Sequence, residues 1–183
     1  NGTASPAKGL SRETFATPRP RRFYKEAGIA AAGGDAGGLS VTLDGRTVKT
    51  PGKKQLVMPT RALADAIAAE WQSQGAEILA ETMPLMRLAN TAIDGVAGNE
   101  AAVREDIVAF CGSDLVCYRA GSPEGLVAAQ CAQWDPVLAW ARQSLGAEFL
   151  TAEGIMHVAQ PQQAVDAVAR ALKPLDAWHL TAL

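Results

Sequence analysis

The sequence predicts an α+β protein: a small N-terminal antiparallel β-sheet domain with a packed helix, followed by an all-α helical domain. Three observations carry this. Residues 22–58 read as short β segments, with an Asp44-Gly45 pair between two of them. From Thr60 the apolar residues recur at three- and four-residue spacing. The strand-like segments precede the helix-like ones, and such segregation argues against an alternating α/β fold. Among 183 residues, 36 are alanine, which favours helix.

Residues 1–20 hold Ser, Thr, Pro and Arg and are expected to form a flexible tail. Arg22-Phe23-Tyr24-Lys25 is a short strand candidate, followed by a Gly/Ala-rich link from Gly28 to Gly38. Leu39 to Leu43 alternates apolar and polar, as a strand with one buried face does. Asp44-Gly45 is a strong hairpin turn, because both central positions need positive φ. Arg46 to Thr50 is the return strand, Pro51-Gly52 turns again, and Gln55 to Met58 can form a further strand. Thr60 caps a helix whose Leu63, Ile67 and Trp71 share a face, running to about Gln74.

The remainder reads as helices. Pro84 suits a first turn, and Leu85, Leu88, Ala89, Ala92, Ile93 and Val96 make one face ending near Gly98. Val103, Ile107 and Phe110 make the next, stopped by Gly112. Leu115 to Tyr118 is a strand or buried turn. Residues 123–146 form a helix in which Pro136 forces a kink or break. Pro161 starts a helix with Val165, Val168 and Leu172, and a last one begins at Asp176. The expected units are therefore 21–82 and 83–183.

Charge is unevenly spread. The net −2 divides into ten Lys/Arg against four Asp/Glu in residues 1–54, and seven against fifteen afterwards. Such asymmetry marks either two modules with different partners or a solvated basic tail. Nothing global points to nucleic acid. No run approaches the ~18–20 apolar residues of a membrane span. Three cysteines, Cys111, Cys117 and Cys131, cannot all pair, which favours a reducing compartment. Residues 1–30 hold no apolar core of a signal peptide.

Catalytic chemistry finds little footing. The glycine run at 33–38 lacks the dinucleotide-binding order, and Gly45 to Lys53 misses phosphate-loop spacing. The cysteines and the two histidines, His157 and His179, show no metal-ligand spacing. No nucleophile elbow is present. Glu70 with Glu77, and Glu105-Asp106, read as helical surface charge. Four tryptophans among ten aromatic residues stand out instead, with Met83, Leu85 and Met86 clustered at the sheet–helix junction. Trp and Met at such places serve either core packing or binding surfaces.

Several stretches together carry a family resemblance. They are Arg22-Phe23-Tyr24-Lys25, Leu43 to Pro51, Leu56 to Thr60, Ala69-Glu70-Trp71, Thr82-Met83-Pro84-Leu85, Leu88 to Asp94, Asp114 to Arg119 and Trp134 to Trp140. In this order they resemble the assembly chaperones of the catalytic head of F-type ATP synthase, specifically the chaperone of the α subunit. The resemblance implies a non-enzymatic protein without cofactor or metal. It implies binding to newly made α subunit, shielding of a surface later covered by the β subunit, and release on assembly. Trp71, Met83, Leu85, Asp94, Trp134 and Asp135 are the candidate partner-binding residues. The family occurs in mitochondria and α-proteobacteria, and the alanine-rich composition suits a bacterial cytoplasm, with the mitochondrial matrix as the eukaryotic counterpart. The family continues with further helices past the position of Leu183. A truncated helical domain is therefore expected, with the Val165/Val168/Leu172 face exposed and self-association through the C-terminal region. The rival readings are a small hydrolase using His157 or a cysteine, and a generic two-domain adaptor.

Overall fold

Antiparallel pairing organises residues 27–58 of the computed structural model, which describes residues 19–32 and 37–183. Nearly all of the expected N-terminal tail, and the run 33–36 of the glycine-rich link, lie outside the described residues. Strand β1 (Ala27–Ala31) pairs with β2 (Leu39–Leu43). The other edge of β2 pairs with β3 (Arg46–Thr47) at one end and β4 (Val57–Met58) at the other. Asp44 and Gly45 have φ of 48° and 78°, the two positive values that the tight turn requires.

The first strand differs from expectation. Arg22–Lys25 is irregular, and β1 lies in what read as the Gly/Ala link. The Arg22 guanidinium donates to the carbonyls of Tyr24, Lys25, Gln72 and Gln74, which holds that segment against the end of the following helix instead of a sheet edge. Alanine and glycine have weak strand preference, yet pairing with the buried β2 imposes the extended form.

Helix α1 (Arg61–Gln72) starts as predicted, with Thr60 Oγ1 accepting the Leu63 amide at 3.3 Å. Its Ala64, Ile67 and Ala68 pack on Val41, Leu56 and Met58 of the sheet. Helix α2 (Pro84–Thr91) adds Met86 and Ala89 to the same core, and Met83 joins it just before the helix. Glu70 of α1 is not merely surface charge. Its two carboxylate oxygens accept the Leu85 and Met86 amides, each at 2.8 Å. Those amides have no intrahelical partner, and a negative charge suits a helix N-terminus.

A wide turn at Ala92–Val96 leads to α3 (Glu100–Cys111), α4 (Glu124–Trp140), α5 (Gln162–Leu172) and α6 (Ala177–Ala182). Val96, Leu172, Ala177 and Leu180 form a second core with Val103, Ile107 and Val168 around it. Alanines 141, 147, 164 and 167 form a third. Arg104 ties α3 to α5 by donating to the Leu172 and Leu175 carbonyls. Trp178 of α6 packs on the first core, so the chain's end closes back on the sheet–helix half.

Three expectations for this half are corrected. A two-residue parallel pair, β5 (Tyr118–Arg119) with β6 (Ala152–Glu153), stands in a half expected to be helical apart from a strand or buried turn at Leu115 to Tyr118. A single turn at Leu115–Cys117 redirects the chain so that these segments meet. Pro136 does not break α4, which is continuous from Glu124 to Trp140. Ala132 and Pro136 are both exposed, so the carbonyl that loses its amide donor faces water. The Val165/Val168/Leu172 face is largely covered: Leu172 is buried, Val168 packs half-buried on the second core, and half-buried Val165 borders a shallow cleft with Val108 and Ala109 of α3. Exposed apolar side chains in this half are Phe110 on α3, Leu115, three on α4 (Leu126, Val137, Trp140), Leu150, Ile155, Met156 and Leu183. Among the described residues, no helix is long and apolar enough to cross a membrane.

Candidate partner-binding groove

The hairpin β2–β3, the end of α1 and the start of α2 enclose an open groove of about 850 Å³. Its floor is apolar: Val48, Trp71, Ile78, Met83 and Met86. Two aromatic residues from the irregular N-terminal segment shape one end. Tyr24 is buried, and its hydroxyl donates to the Trp71 carbonyl at 2.6 Å. Its ring meets Trp71 edge-on at 5.7 Å, and the Arg22 guanidinium lies 4.6 Å from its centroid. Burial raises the Tyr24 pKa, offset in part by the Arg22 charge. Phe23, next in sequence, points outward and is 73% exposed at the groove mouth.

The opposite wall is built by the turn at Thr50–Lys53. Asp94 holds it: Thr50 Oγ1 donates to its Oδ1 at 2.8 Å and the Gly52 amide to its Oδ2 at 2.7 Å. A Cβ on Gly52 would lie 2.6 Å from that carboxylate, so glycine is needed for the approach. Lys54 Nζ adds a bond to the Ile93 carbonyl at 2.8 Å. Two polar atoms along the groove are buried without a partner, Trp71 Nε1 and Asn90 Oδ1.

The structure divides the sequence-predicted residues into two places. Trp71 and Met83 meet in the groove. Leu85 packs on the first core, with its amide held by Glu70. Asp94 binds the turn that forms the wall. Trp134 and Asp135 lie apart on α4, gathered by Arg119. That guanidinium pairs with Asp135 at 2.8 Å and sits 5.5 Å from the Trp134 ring centroid. A smaller cleft of about 280 Å³ beside Asp135 is lined by Leu138, Arg142, Glu148 and Phe149. Sequence reading missed Arg46, Lys49, Arg87 and Asn90 as groove residues. The basic excess of residues 1–54 was its one signal for Arg46 and Lys49, and it did not reach Arg87 or Asn90.

The chemistry of two of the thiols runs against an activated nucleophile. Burial pushes the pKa values of Cys111 and Cys117 up, and the Asp114 charge adds to this. A catalytic thiol needs the opposite shift. His157 Nδ1 meets the Tyr118 hydroxyl at 3.2 Å on an exposed surface. Among the described residues, no group of three or more His, Cys, Asp or Glu is placed to hold a metal ion.

A family model described as ATP12 chaperone protein matches residues 21–142. The Atu1473 protein of Agrobacterium tumefaciens has a solved structure similar to this one, with 48% identity and a TM-score of 0.84. The match covers 91% of this chain and 62% of that one, so the present chain spans less than two thirds of that relative's length. Atp12 from Paracoccus denitrificans is 41% identical with a TM-score of 0.80, over 89% of this chain and 69% of that one. The chain belongs to the ATP12 chaperone family.

Proposed function

We propose that this ATP12-family chain is an assembly chaperone of F-type ATP synthase, which binds the unassembled α subunit and shields its subunit interface until the catalytic head is built. The observation that carries the reading is the open, apolar-floored groove around Trp71 and Met83 in a member of a chaperone family. A shield works by covering apolar surface that water would otherwise meet, and an adaptable floor of Met83 and Met86 suits that task. Trp71 and Met83 are the groove contacts of this reading, Leu85 and Asp94 support them from behind, and Trp134 with Asp135 form a second contact on α4. Binding and release need no chemistry at a nucleotide or metal. The working compartment is the bacterial cytoplasm, or the mitochondrial matrix in a eukaryote.

Capture of separately expressed α subunit by the immobilised chain tests this, with β subunit as the control and no nucleotide added. Retention of α and not β is expected. Failure to retain α, or retention only with ATP, would overturn the reading.

A further inference from the structure

We infer that the groove takes an extended, acidic segment of its partner by strand addition to the free edge of β3. The inference deepens the chaperone reading and rests on it. Hydrogen-bond direction identifies the edge. The Val48 amide donates to the Val41 carbonyl at 2.9 Å, and the Val48 carbonyl accepts the Leu56 amide. Successive residues of a strand point their backbone groups to opposite sides. Thr47 and Lys49 therefore direct their N–H and C=O groups away from β2 and β4. The bridge between Lys49 and Gln55 uses the flanking bonds Leu56–Val48 and Thr50–Lys54, so it leaves the Lys49 groups without a backbone partner among the described residues. Both residues are exposed and line the groove. An incoming extended chain can meet four backbone groups there, which is how strand addition gains affinity.

The charges choose the sign of the occupant. Arg46, Lys49 and Arg87 line the groove, and none forms an ion pair among the described residues. Asp44, the one lining carboxylate among the described residues, is engaged by the Lys25 and Glu26 amides at about 3 Å. A partner with carboxylates at alternate positions meets this excess of cation, while its intervening apolar side chains face Val48 and Met83. The Trp71 indole N–H, buried in the groove lining, reports on a segment seated there. A second copy of this chain is disfavoured at the edge, because pairing β3 with itself sets Arg46 and Lys49 against like charges.

The test uses an end-blocked nine-residue peptide alternating valine and glutamate, titrated into the whole chain by NMR. Shifts of the Thr47 and Lys49 amides and the Trp71 indole are expected, with at least tenfold slower exchange of the two amides. Two further peptides probe the unmodified protein, so variant folding does not enter. Replacing glutamate by lysine should weaken binding at least tenfold, and N-methylating alternate amides should abolish it. Equal binding of the lysine peptide, indifference to N-methylation, or shifts confined to other sites would overturn the inference. The double variant Arg46→Glu/Arg87→Glu carries it to the full partner: its capture of α subunit should fall at least tenfold at unchanged melting temperature. Unchanged capture by a folded double variant overturns the groove inference alone. Absence of capture by the unmodified chain overturns the chaperone reading instead.

Discussion

Replacing Asp94 by alanine should cost about 3 kcal/mol of folding free energy. The carboxylate accepts two hydrogen bonds, from the Thr50 hydroxyl at 2.8 Å and the Gly52 amide at 2.7 Å. Bonds to a charged group contribute about 1.5–3 kcal/mol each, and Asp94 is half-exposed, so the lower figure applies to both. Thr50 is itself buried; its hydroxyl would still accept the Lys54 amide at 3.1 Å, but as a donor it would keep only a 3.5 Å contact to the Lys54 carbonyl. For a chain of this size each kcal/mol shifts the melting temperature by about 2–4 °C, so a fall of about 6–12 °C is expected. Asp94→Asn keeps an acceptor but loses the charge and should lose roughly half as much. A double-mutant cycle with Thr50→Val, read by thermal or urea unfolding, should give a coupling of about 1 kcal/mol. Capture of α subunit should weaken alongside, because Thr50 and Pro51 form the groove wall. A variant that melts like the unmodified chain, or a coupling near zero, refutes Asp94 as a structural tie. Lost capture at unchanged melting temperature would make Asp94 a direct contact.

Three further outcomes follow from the same geometry. Trp71→Phe removes a buried, unpartnered N–H and keeps a ring against Tyr24, so stability should change by less than about 1 kcal/mol; Trp71→Ala, half-buried, should lose about 2–3 kcal/mol, and melts run beside α-subunit capture separate packing from contact. Glu70→Gln leaves only one side-chain oxygen for the Leu85 and Met86 amides and removes the charge at the α2 N-terminus; unfolding in urea should show a loss of about 1–2 kcal/mol. The Glu26 and Lys25 amides hold the Asp44 carboxyl below its usual range, so its contribution to stability is present above that range and fades as pH falls through the lowered value. Melting temperatures between about pH 5 and pH 2.5 should therefore drop more steeply for the unmodified chain than for Asp44→Asn.

Local pattern carried far in this chain. The Asp44-Gly45 turn, the Thr60 cap, the Pro84 start and the stop at Gly112 are decided by neighbours within a few residues, and all four stand where the sequence put them. So does the order of sheet before helices. The family, too, was legible, because motifs in register survive without any knowledge of contacts. Long-range partners decided the rest. Whether Ala27–Ala31 or Arg22–Lys25 would be the first strand depended on which segment could pair with β2 and which was held by carbonyls some fifty residues away. Glu70 became an α2 cap only because α1 and α2 pack together. The groove is the clearest case: Phe23, Arg46, Trp71, Met83 and Arg87 come from four separate segments, and no periodicity brings them to one place. Sequence sets the conformations that neighbouring residues can enforce through sterics and short hydrogen bonds. Which surfaces face one another is set by how apolar faces bury together, and that answer exists only once the chain has folded.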